Sequence, residues 1–485
     1  MLIVDLNNFA SFPTLAVGIL IANLRRQGFR VRLISPLAHD VPATERERAE
    51  TLVDHFARRV HLSTSPVMRR LRDGAREARA WWTGRPHPRV LAETELALRE
   101  TPDVLLLSAY LQHGRTVHAL GELSRRHGVP LVLGGPMFNL PEVAETWRTV
   151  PGLTAIVGGE SDLIAGDIVR AVCERADLLQ IPGITLPDGR RSPPAPPLRP
   201  LDATPIPDFR DFPWGRYRVR IIPLMASRGC QWSQCSFCSD VVSVSGREFR
   251  NRSVSHVLDE MREQAARHDT RNFLFLDLKL NSNPNLFRGV IENVQTHVPG
   301  AEWIGTVHVD QRRDNGLSRA DLSAAVAAGM RRVSFGLESG SQRLLDAMRK
   351  GSTVEGNAAF IRTAHEAGLS IRCTMFKGYP GETADDLERT AEFLERHTPY
   401  LDRVRFNEFS IPLGTPIYEA VTRDPAAYPN LRLLGLDRHP ERARYISRDG
   451  HSAAYRRAKA RVLRAVYEIN RRPLRATARA FDGLM

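Results

Sequence analysis

Residues 221–238 read IIPLMASRGCQWSQCSFC, an apolar run followed at once by three cysteines, Cys230, Cys235 and Cys238. Thiolates spaced this closely can surround one soft metal centre, and three ligands leave one coordination position open. The apolar run predicts a strand, so the cysteines fall on the loop after it, where parallel barrels carry their functional groups. The stretch therefore predicts a metal-dependent site at the end of a barrel strand.

Two kinds of metal centre can use three cysteines. A structural zinc needs four ligands, and the nearest histidines, His256 and His268, fall on a predicted helix. A cubic iron–sulfur cluster accepts three cysteines when an outside molecule binds the fourth iron. We expect the cluster, with zinc as the alternative. The other two cysteines, Cys173 and Cys373, stand alone, so the pattern is not a disulfide framework.

Composition bounds the class of protein. A chain of 485 residues with 42% hydrophobic and 25% charged residues is typical of a soluble globular protein with two or three domains. The N-terminus lacks a basic segment ahead of an apolar core, and the apolar stretch 15–24 is too short to span a bilayer, so we expect a cytoplasmic protein. The net charge of +13 comes almost entirely from arginine, with lysine only at positions 279, 350, 377 and 459. We attribute that bias to genome base composition and do not expect nucleic-acid binding.

Residues 1–165 alternate between apolar strands and helices. Continuous apolar runs are typical of parallel strands covered on both faces, so this half predicts a Rossmann-like, doubly wound sheet. Residues 40–98 interrupt the alternation as a helical insertion. The predicted strands are 2–6, 31–34, 103–107, 131–133 and 155–157.

The rest of the chain predicts three further segments. Residues 166–215 are a proline-rich linker, because proline fixes φ and removes hydrogen-bond donors. Residues 216–420 repeat a strand–helix pattern six times, which predicts a partial (β/α)6 barrel resembling a TIM barrel, and residues 421–485 are helical in pattern. The predicted barrel strands are 221–225, 272–276, 303–307, 332–335, 370–375 and 404–407.

The cysteine loop resembles that of the radical S-adenosylmethionine (SAM) superfamily. Four more stretches fit the superfamily in order, so the resemblance spans about residues 200 to 420. These stretches are FLDLKLNSNP (275–284), SFGLESGSQ (334–342), GYPGET (378–383) and PLGTP (412–416). The first half is similar to the cobalamin-binding domain that precedes many of these enzymes, because glycines at strand ends would let a corrin ring approach the backbone. Those glycines are Gly134, Gly135, Gly158 and Gly159.

Two departures from the superfamily pattern stand out. The usual cysteine spacing is C-x3-C-x2-C, whereas four residues separate Cys230 from Cys235. The cobalamin motif D-x-H-x-x-G, which supplies a lower axial histidine, is missing from the loop 5–13, and His113 follows the wrong strand to replace it. We therefore expect cobalamin, if bound, to have no histidine ligand.

The resemblance implies a 4Fe–4S cluster held by the three cysteines and a SAM molecule bound to the open iron. One-electron reduction would cleave SAM to a 5′-deoxyadenosyl radical. Phe237 would pack against the adenine, or simply shield the cluster from water. Glu338 would accept hydrogen bonds from the ribose or the methionine amino group, and Asp277 has a similar strand-end position, or caps the next helix.

Further candidates surround the same predicted barrel mouth. Gly378, Pro380 and Gly381 would let the backbone approach the adenosyl group, or form only a Pro–Gly turn. Ser334 and Gly336 belong to the same matched strand as Glu338. Glu338 and Tyr379 are the catalytic candidates, and the side chains of His308 and Arg372 are further candidates for proton transfer or substrate binding. An external flavodoxin-like or ferredoxin-like protein would supply the electron.

Function is narrowed by what is missing. Methylthiotransferases of the superfamily carry a second cluster on three more cysteines. Only Cys173 and Cys373 remain in this sequence, so we do not expect a methylthiotransferase. A cobalamin domain ahead of the barrel favours methylation of an unactivated carbon or phosphorus in a small-molecule or peptide substrate of specialised metabolism. Cyclisation or rearrangement and tRNA modification are the enzymatic alternatives. A non-catalytic cobalamin or iron–sulfur sensor is the alternative outside enzymes.

Overall fold

The computed structural model describes residues 1–43, 49–239, 248–437 and 442–484. Their strands are β1 (Leu2–Asp5), β2 (Arg32–Ile34), β3 (Leu105–Ser108), β4 (Leu131–Gly134), β5 (Leu153–Val157), β6 (Ile184–Thr185), β7 (Ile222–Leu224), β8 (Ser227–Arg228), β9 (Arg250–Asn251), β10 (Asn272–Phe275), β11 (Glu302–Val307), β12 (Met330–Glu338), β13 (Ser370–Lys377), β14 (Arg403–Glu408), β15 (Ile411–Pro412), β16 (Leu431–Asp437) and β17 (Arg442–Ser447). The α-helices are α1 (Leu15–Arg26), α2 (Leu52–His61), α3 (Pro66–Thr83), α4 (Pro88–Arg99), α5 (Gly114–His127), α6 (Pro141–Trp147), α7 (Ala165–Glu174), α8 (Val254–His268), α9 (Pro284–His297), α10 (Arg319–Ala327), α11 (Gln342–Ala347), α12 (Val354–Ala367), α13 (Ala384–His397), α14 (Pro416–Arg423) and α15 (Ala453–Asn470).

The first sheet has the order β2-β1-β3-β4-β5-β6 and is parallel except for β6. Its central strands are apolar on both faces because helices cover both sides of the sheet. In β1, Leu2, Ile3 and Val4 are all essentially inaccessible to solvent. The predicted doubly wound sheet is confirmed. Its strands end at one edge, on the side that faces the second sheet.

The second sheet has the order β14-β13-β12-β11-β10-β7, with every neighbouring pair parallel. All six predicted barrel strands are present. Strands β14 and β7 are the two edges of this sheet, so the barrel is open on one side. The predicted partial (β/α)6 barrel is confirmed, and its strands end at a common mouth.

The predicted linker contains regular structure that belongs to the first sheet. Helix α7 begins at Ala165 and packs on α1, and β6 adds an antiparallel edge strand beside β5. The first unit therefore extends past residue 165, to about the turn that pairs Thr185 with Arg191. Proline density marked the extended chain after residue 192 correctly, but it did not mark the helix before it.

The C-terminal region is only partly helical. Helix α15 lies where the pattern predicted one, but β16 and β17 form an antiparallel hairpin before it, and β15 pairs with β17 to complete a small third sheet. Residues 431–436 read LRLLGL, and so short a leucine-rich run does not distinguish a strand from a helix, which explains the error in the helical prediction.

The predicted insertion divides into two parts. Helix α4 packs against α5 and the first sheet and so completes that sheet, whereas α2 packs against α15. Arg72 of α3 donates to Glu408 at 2.9 Å, and Lys377 donates to the other oxygen of the same carboxylate at 2.9 Å. Because Lys377 and Glu408 end β13 and β14, helix α3 lies over one side of the barrel mouth.

No helix within the described ranges is both long enough and apolar enough to cross a bilayer.

Candidate active site

The first part of the cysteine loop is fixed from two sides. Asp277 accepts hydrogen bonds from the backbone N–H of Ala226 at 2.9 Å and from the hydroxyl of Ser227. Gly229 has φ 80°, and a Cβ there would lie 1.7 Å from the carbonyl oxygen of Glu248. Burial raises the pKa of Asp277 to about 6, despite the hydrogen bonds that it accepts from Ser227 and Ala226. Asp277 therefore supports the cysteine loop, and direct contact with SAM stays a prediction.

The backbone of the four residues between Cys230 and Cys235 accommodates the extra loop residue with one unusual conformation. Ser233 adopts φ 40°, a left-handed conformation that is unusual for a residue with a side chain. The preceding indole, Trp232, donates from Nε1 to the carbonyl of Arg349 at 2.8 Å and fills the space above Gly351. A Cβ on Gly351 would lie 2.3 Å from the indole. The position of Trp232 in the widened loop therefore requires glycine at position 351.

The last part of the cysteine loop is held by Ser236. Its backbone N–H donates to the carbonyl of Met348 at 3.0 Å, and its hydroxyl lies 2.8 Å from the hydroxyl of Tyr379. Tyr379 also donates to the carbonyl of Ala347 and is 3% exposed. Burial raises the pKa of Tyr379 to about 12. The structure gives Tyr379 a supporting position behind the loop, and its catalytic role stays a prediction.

Glu338 ends β12 in a strained conformation, with φ 59°. Its Oε1 accepts a hydrogen bond from Lys350 Nζ at 2.8 Å, and both side chains are buried. Gly336 makes this pair possible, because a Cβ there would lie 2.2 Å from Glu338 Oε1 and 2.6 Å from Lys350 Nζ. Strain of this kind is found where surrounding structure holds a residue for a function.

The pair lies beside the cysteines. Lys350 Nζ is 5.6 Å from the ring centroid of Phe237, the residue between Cys235 and Cys238. Burial raises the pKa of Cys235, and the Lys350 ammonium opposes that rise. Burial lowers the pKa of Lys350, but the negative charges of Glu338 and Cys235 raise it by more than burial lowers it. The pKa of Lys350 therefore stays above its ordinary value. A permanent cation thus faces the thiols, and thiolates are the form that binds metal.

Phe237 is half-buried in an aromatic cluster. Its ring meets Phe376 edge-on at 5.2 Å and Phe409 at 6.4 Å between centroids. This aromatic cluster is compatible with the shielding interpretation of Phe237, which stays a prediction. Contact with adenine stays a prediction.

Of the remaining predicted residues, some follow the barrel strands at the mouth, whereas Ser334 and Arg372 lie within β12 and β13. Gly378 and Gly381 have φ 87° and 83°, conformations that favour glycine, and they bracket the buried Pro380. Ser334 and Arg372 are neighbours in register on β12 and β13 and are buried. His308 follows β11, and its ring lies edge-on to Trp232 at 6.3 Å.

A cavity of about 540 Å³ lies between the two sheets. It is lined mainly by apolar side chains of the first unit, which is typical of sites for large organic ligands. The predicted glycines Gly134, Gly135 and Gly159 line it, whereas Gly158 packs against the carbonyl of Phe138. On the other side the lining includes Met225, Ser227, Arg228, Gly229, Leu276 and Leu278. The cavity therefore ends at the start of the cysteine loop.

No histidine is among the described residues that line this cavity. The side chain of Tyr110 lines it instead, and His113 Nδ1 accepts a hydrogen bond from the backbone N–H of Tyr110 at 3.2 Å. Burial lowers the pKa of His113 to about 4. The described lining of the cavity therefore offers no imidazole to a bound ligand.

Within the described ranges, no three His, Cys, Asp or Glu side chains converge as ligands of a single metal ion. In a 4Fe–4S cluster each cysteine binds a different iron. The three cysteines therefore need not converge on a single point in order to hold such a cluster. Their chemistry fits: soft sulfur ligands beside a cation and an aromatic shield.

A comparison with protein families matches residues 224–394 to the radical SAM superfamily. Residues 224–394 therefore resemble a radical SAM domain, the kind of domain in which enzymes of that superfamily use a 4Fe–4S cluster and SAM. It is 26% identical over 327 residues to an uncharacterised methyltransferase of Pyrococcus horikoshii, covering 66% of this chain and 69% of the relative. It is 30% identical over 283 residues to the anaerobic magnesium-protoporphyrin IX monomethyl ester cyclase of Rubrivivax gelatinosus, covering 55% of this chain and 49% of that enzyme.

Two solved structures share the whole arrangement. The cobalamin-dependent SAM radical enzyme OxsB, with aqua-cobalamin and SAM bound, matches with a TM-score of 0.68 and 18% identity, covering 92% of this chain and 64% of that chain. The radical SAM methyltransferase TsrM of Kitasatospora setae matches with a TM-score of 0.68 and 16% identity, covering 96% of this chain and 88% of that chain. At this identity the two matches establish a common fold.

Sequence reasoning missed Lys350. The signal was present, because the chain has only four lysines against a large excess of arginine, and all four are buried. Where composition favours arginine at the surface, a retained lysine indicates a place for a compact ammonium group. Lys279 and Lys377 follow the same rule, since each donates to a carboxylate, Asp310 and Glu408 respectively.

Proposed function

We propose that the protein is a cobalamin-dependent radical SAM methyltransferase that acts on an unactivated carbon or phosphorus. The observation that carries the proposal is the continuity of two sites. The cavity beyond the ends of β1, β3, β4 and β5 is closed on its far side by Ser227, Arg228 and Gly229, which begin the cysteine loop. A ligand in that cavity and a cluster on that loop would share one reaction space.

When bound, the reduced cluster supplies a 5′-deoxyadenosyl radical from SAM, and cobalamin supplies the methyl group. Cys230, Cys235 and Cys238 would hold the cluster. Glu338 and Lys350 offer a carboxylate and an ammonium side by side, which is complementary to the amino and carboxylate groups of the methionine part of SAM. The ring of Phe237 and its aromatic neighbours exclude water from that side.

The apolar cavity would hold the corrin ring, with Gly134, Gly135 and Gly159 allowing close approach to the backbone. Tyr110 would face the ring where a histidine is missing. The fold shared with OxsB and TsrM supports this assignment, since both are cobalamin-dependent or methyltransferase enzymes by description.

The test is product analysis after anaerobic reconstitution with iron, sulfide and cobalamin. Under a strong reductant with SAM, a methyltransferase that recharges cobalamin from SAM forms S-adenosylhomocysteine as well as 5′-deoxyadenosine. Both products are expected from the wild-type protein, and S-adenosylhomocysteine is expected to depend on added cobalamin. Formation of neither product would contradict the proposal.

A ring-forming activity is the second candidate, because the chain is 30% identical to an anaerobic cyclase. Such a reaction transfers no methyl group. It would give 5′-deoxyadenosine without S-adenosylhomocysteine in the same experiment, so the product ratio separates the two functions.

A further inference from the structure

A buried set of four charged side chains joins the two units beside both candidate cofactor sites. Arg228 begins the cysteine loop, and Arg250 is its partner in the two-stranded ribbon β8–β9. Glu160 and Asp162 follow β5 of the first unit, on the loop that begins with Gly158 and Gly159. Glu160, Asp162 and Arg228 line the cavity, and Arg250 completes this set of four residues, the interdomain ion-pair network.

The contacts within the network are bidentate. Arg228 donates through both terminal nitrogens to Asp162, with Nη1 to Oδ2 at 3.0 Å, and its Nη1 is 3.3 Å from Glu160 Oε1. Arg250 donates to the two oxygens of Glu160 at 2.8 and 2.7 Å. The backbone N–H of Leu198 donates to Glu160 as well. Such paired guanidinium–carboxylate contacts fix orientation as well as distance.

Burial makes the network stiff. The side chains of Glu160 and Arg250 are 3% and 4% exposed, that of Asp162 is 8% exposed and that of Arg228 is 16% exposed. Two positive and two negative charges balance, so each charge depends on the others once removed from water. Burial raises the pKa of Glu160, but Arg250 and Arg228 outweigh it and hold that pKa below its usual range.

We propose that Arg228 is a positioning residue that couples the cavity loop to the cysteine loop through Asp162 and Glu160. Through these ion pairs it fixes how far the loop after β5 lies from the cysteine loop. A change on the first unit is therefore transmitted to a loop of the second. This inference rests on the proposed function where it concerns cobalamin.

The test compares Asp162→Asn with wild type in the full-length, cluster-reconstituted protein. Asp162→Asn keeps the shape of the side chain and removes its charge, and it lies 66 residues from Arg228 in the chain. The readout is hydrogen exchange of the backbone amides of residues 226–239. We expect exchange at least about tenfold faster in this segment, because removing one partner of a buried ion pair frees the other. Arg199→Gln is the matched control, since it breaks an exposed pair with Glu248 next to the same ribbon.

A second readout is specific to positioning. Adding cobalamin to the wild-type protein is expected to shift the electron paramagnetic resonance signal of the reduced cluster, and Asp162→Asn is expected to lose that shift while keeping its iron. Unchanged amide exchange in residues 226–239 of Asp162→Asn would overturn the proposal. If the wild-type protein takes up no cobalamin, the proposed function fails, and the amide exchange still decides the coupling.

Discussion

Lys350 donates a hydrogen bond to Glu338 across 2.8 Å, and the same ammonium lies 5.6 Å from the ring of Phe237 in the cysteine loop. The pair connects the end of β12 to the cluster-binding segment. Under the proposed function, these opposite charges would bind the amino and carboxylate groups of SAM.

Neutralising either partner is expected to weaken SAM binding. Glu338→Gln and Lys350→Met each remove one charge-assisted hydrogen bond, which corresponds to roughly a 10- to 100-fold loss of affinity. Equilibrium dialysis with SAM on reconstituted protein, normalised to the iron content of each protein, measures the loss. Arg319→Met, in an exposed pair with Glu366, is the control. Wild-type affinity in both variants would exclude the pair from the SAM site.

Gly336→Ala is expected to have the same effect through shape alone. Its Cβ would lie 2.2 Å from Glu338 Oε1, so the carboxylate must move. The expected loss of SAM affinity is again about tenfold or more. Gly215→Ala adds a methyl group where nothing lies within 4 Å and should change nothing. Equal SAM affinity for the two alanine variants would show that the pair has room to shift.

Trp232 is expected to protect the cluster in the widened loop. Trp232→Ala removes both the hydrogen bond to Arg349 and the contact with Gly351, so iron should be lost to a chelator at least about tenfold faster. Trp232→Phe keeps an aromatic ring but lacks the N–H, so its rate of iron loss should fall between those of the wild-type protein and Trp232→Ala. Iron release followed by absorbance gives the rates. Identical rates for all three proteins would mean that the loop holds its shape without the indole.

Glu382 is expected to make stability depend on pH. Burial raises its pKa to about 7, against the hydrogen bonds that it accepts from Tyr455 and Gly378. The pKa of Glu382 is higher in the folded state than in the unfolded state, so the folded state is favoured while the carboxyl is protonated. Its contribution to the free energy of unfolding is fully present below about pH 4.5 and is lost as pH rises through about 7. The expected loss is up to about 3 kcal/mol. Denaturant unfolding at pH 5 and pH 8 measures it. Glu382→Gln should flatten that dependence, whereas the exposed-surface variant Glu388→Gln should leave it unchanged.

His113 is expected to be irrelevant to the metal of a bound cobalamin. Its Nδ1 is engaged by the backbone N–H of Tyr110, and it does not line the cavity. His113→Ala should leave the electron paramagnetic resonance spectrum of reduced, protein-bound cobalamin unchanged, with no nitrogen splitting in either protein. Nitrogen splitting in the wild-type spectrum that disappears in His113→Ala would contradict this.

Much of the fold could be predicted because the signals are local. Continuous apolar runs identified the buried parallel strands of both sheets, and the strand before Cys230 identified the barrel mouth. The hairpin β16–β17 could not be identified in the same way, because leucine-rich strands and helices look alike over short stretches. Helix α7 was hidden by the proline-rich chain that follows it.

The site was predicted less completely because its supports lie far apart in sequence. Contact of Asp277 with a cofactor stays a prediction, and the hydrogen bonds that it accepts from Ser227 and Ala226, 50 and 51 residues away, had no signal in the sequence. The pairing of Arg228 with Asp162 crosses two units and leaves no spacing to detect. Only the rarity of lysine could have pointed to Lys350. That signal appears when the positions of the four lysines are compared with the large number of arginines in the chain.

The most direct test of the central claim is to reconstitute one preparation of the protein anaerobically, then measure iron, cobalt and 5′-deoxyadenosine together. We predict about four irons and one cobalt per chain, with SAM cleaved to 5′-deoxyadenosine under reduction. Cys235→Ala should lose the iron and the cleavage but keep the cobalt, whereas the control Cys173→Ala, at an exposed cysteine outside the site, should behave as wild type. Cleavage that persists in Cys235→Ala, or a wild-type protein that binds zinc in place of iron, would contradict the account.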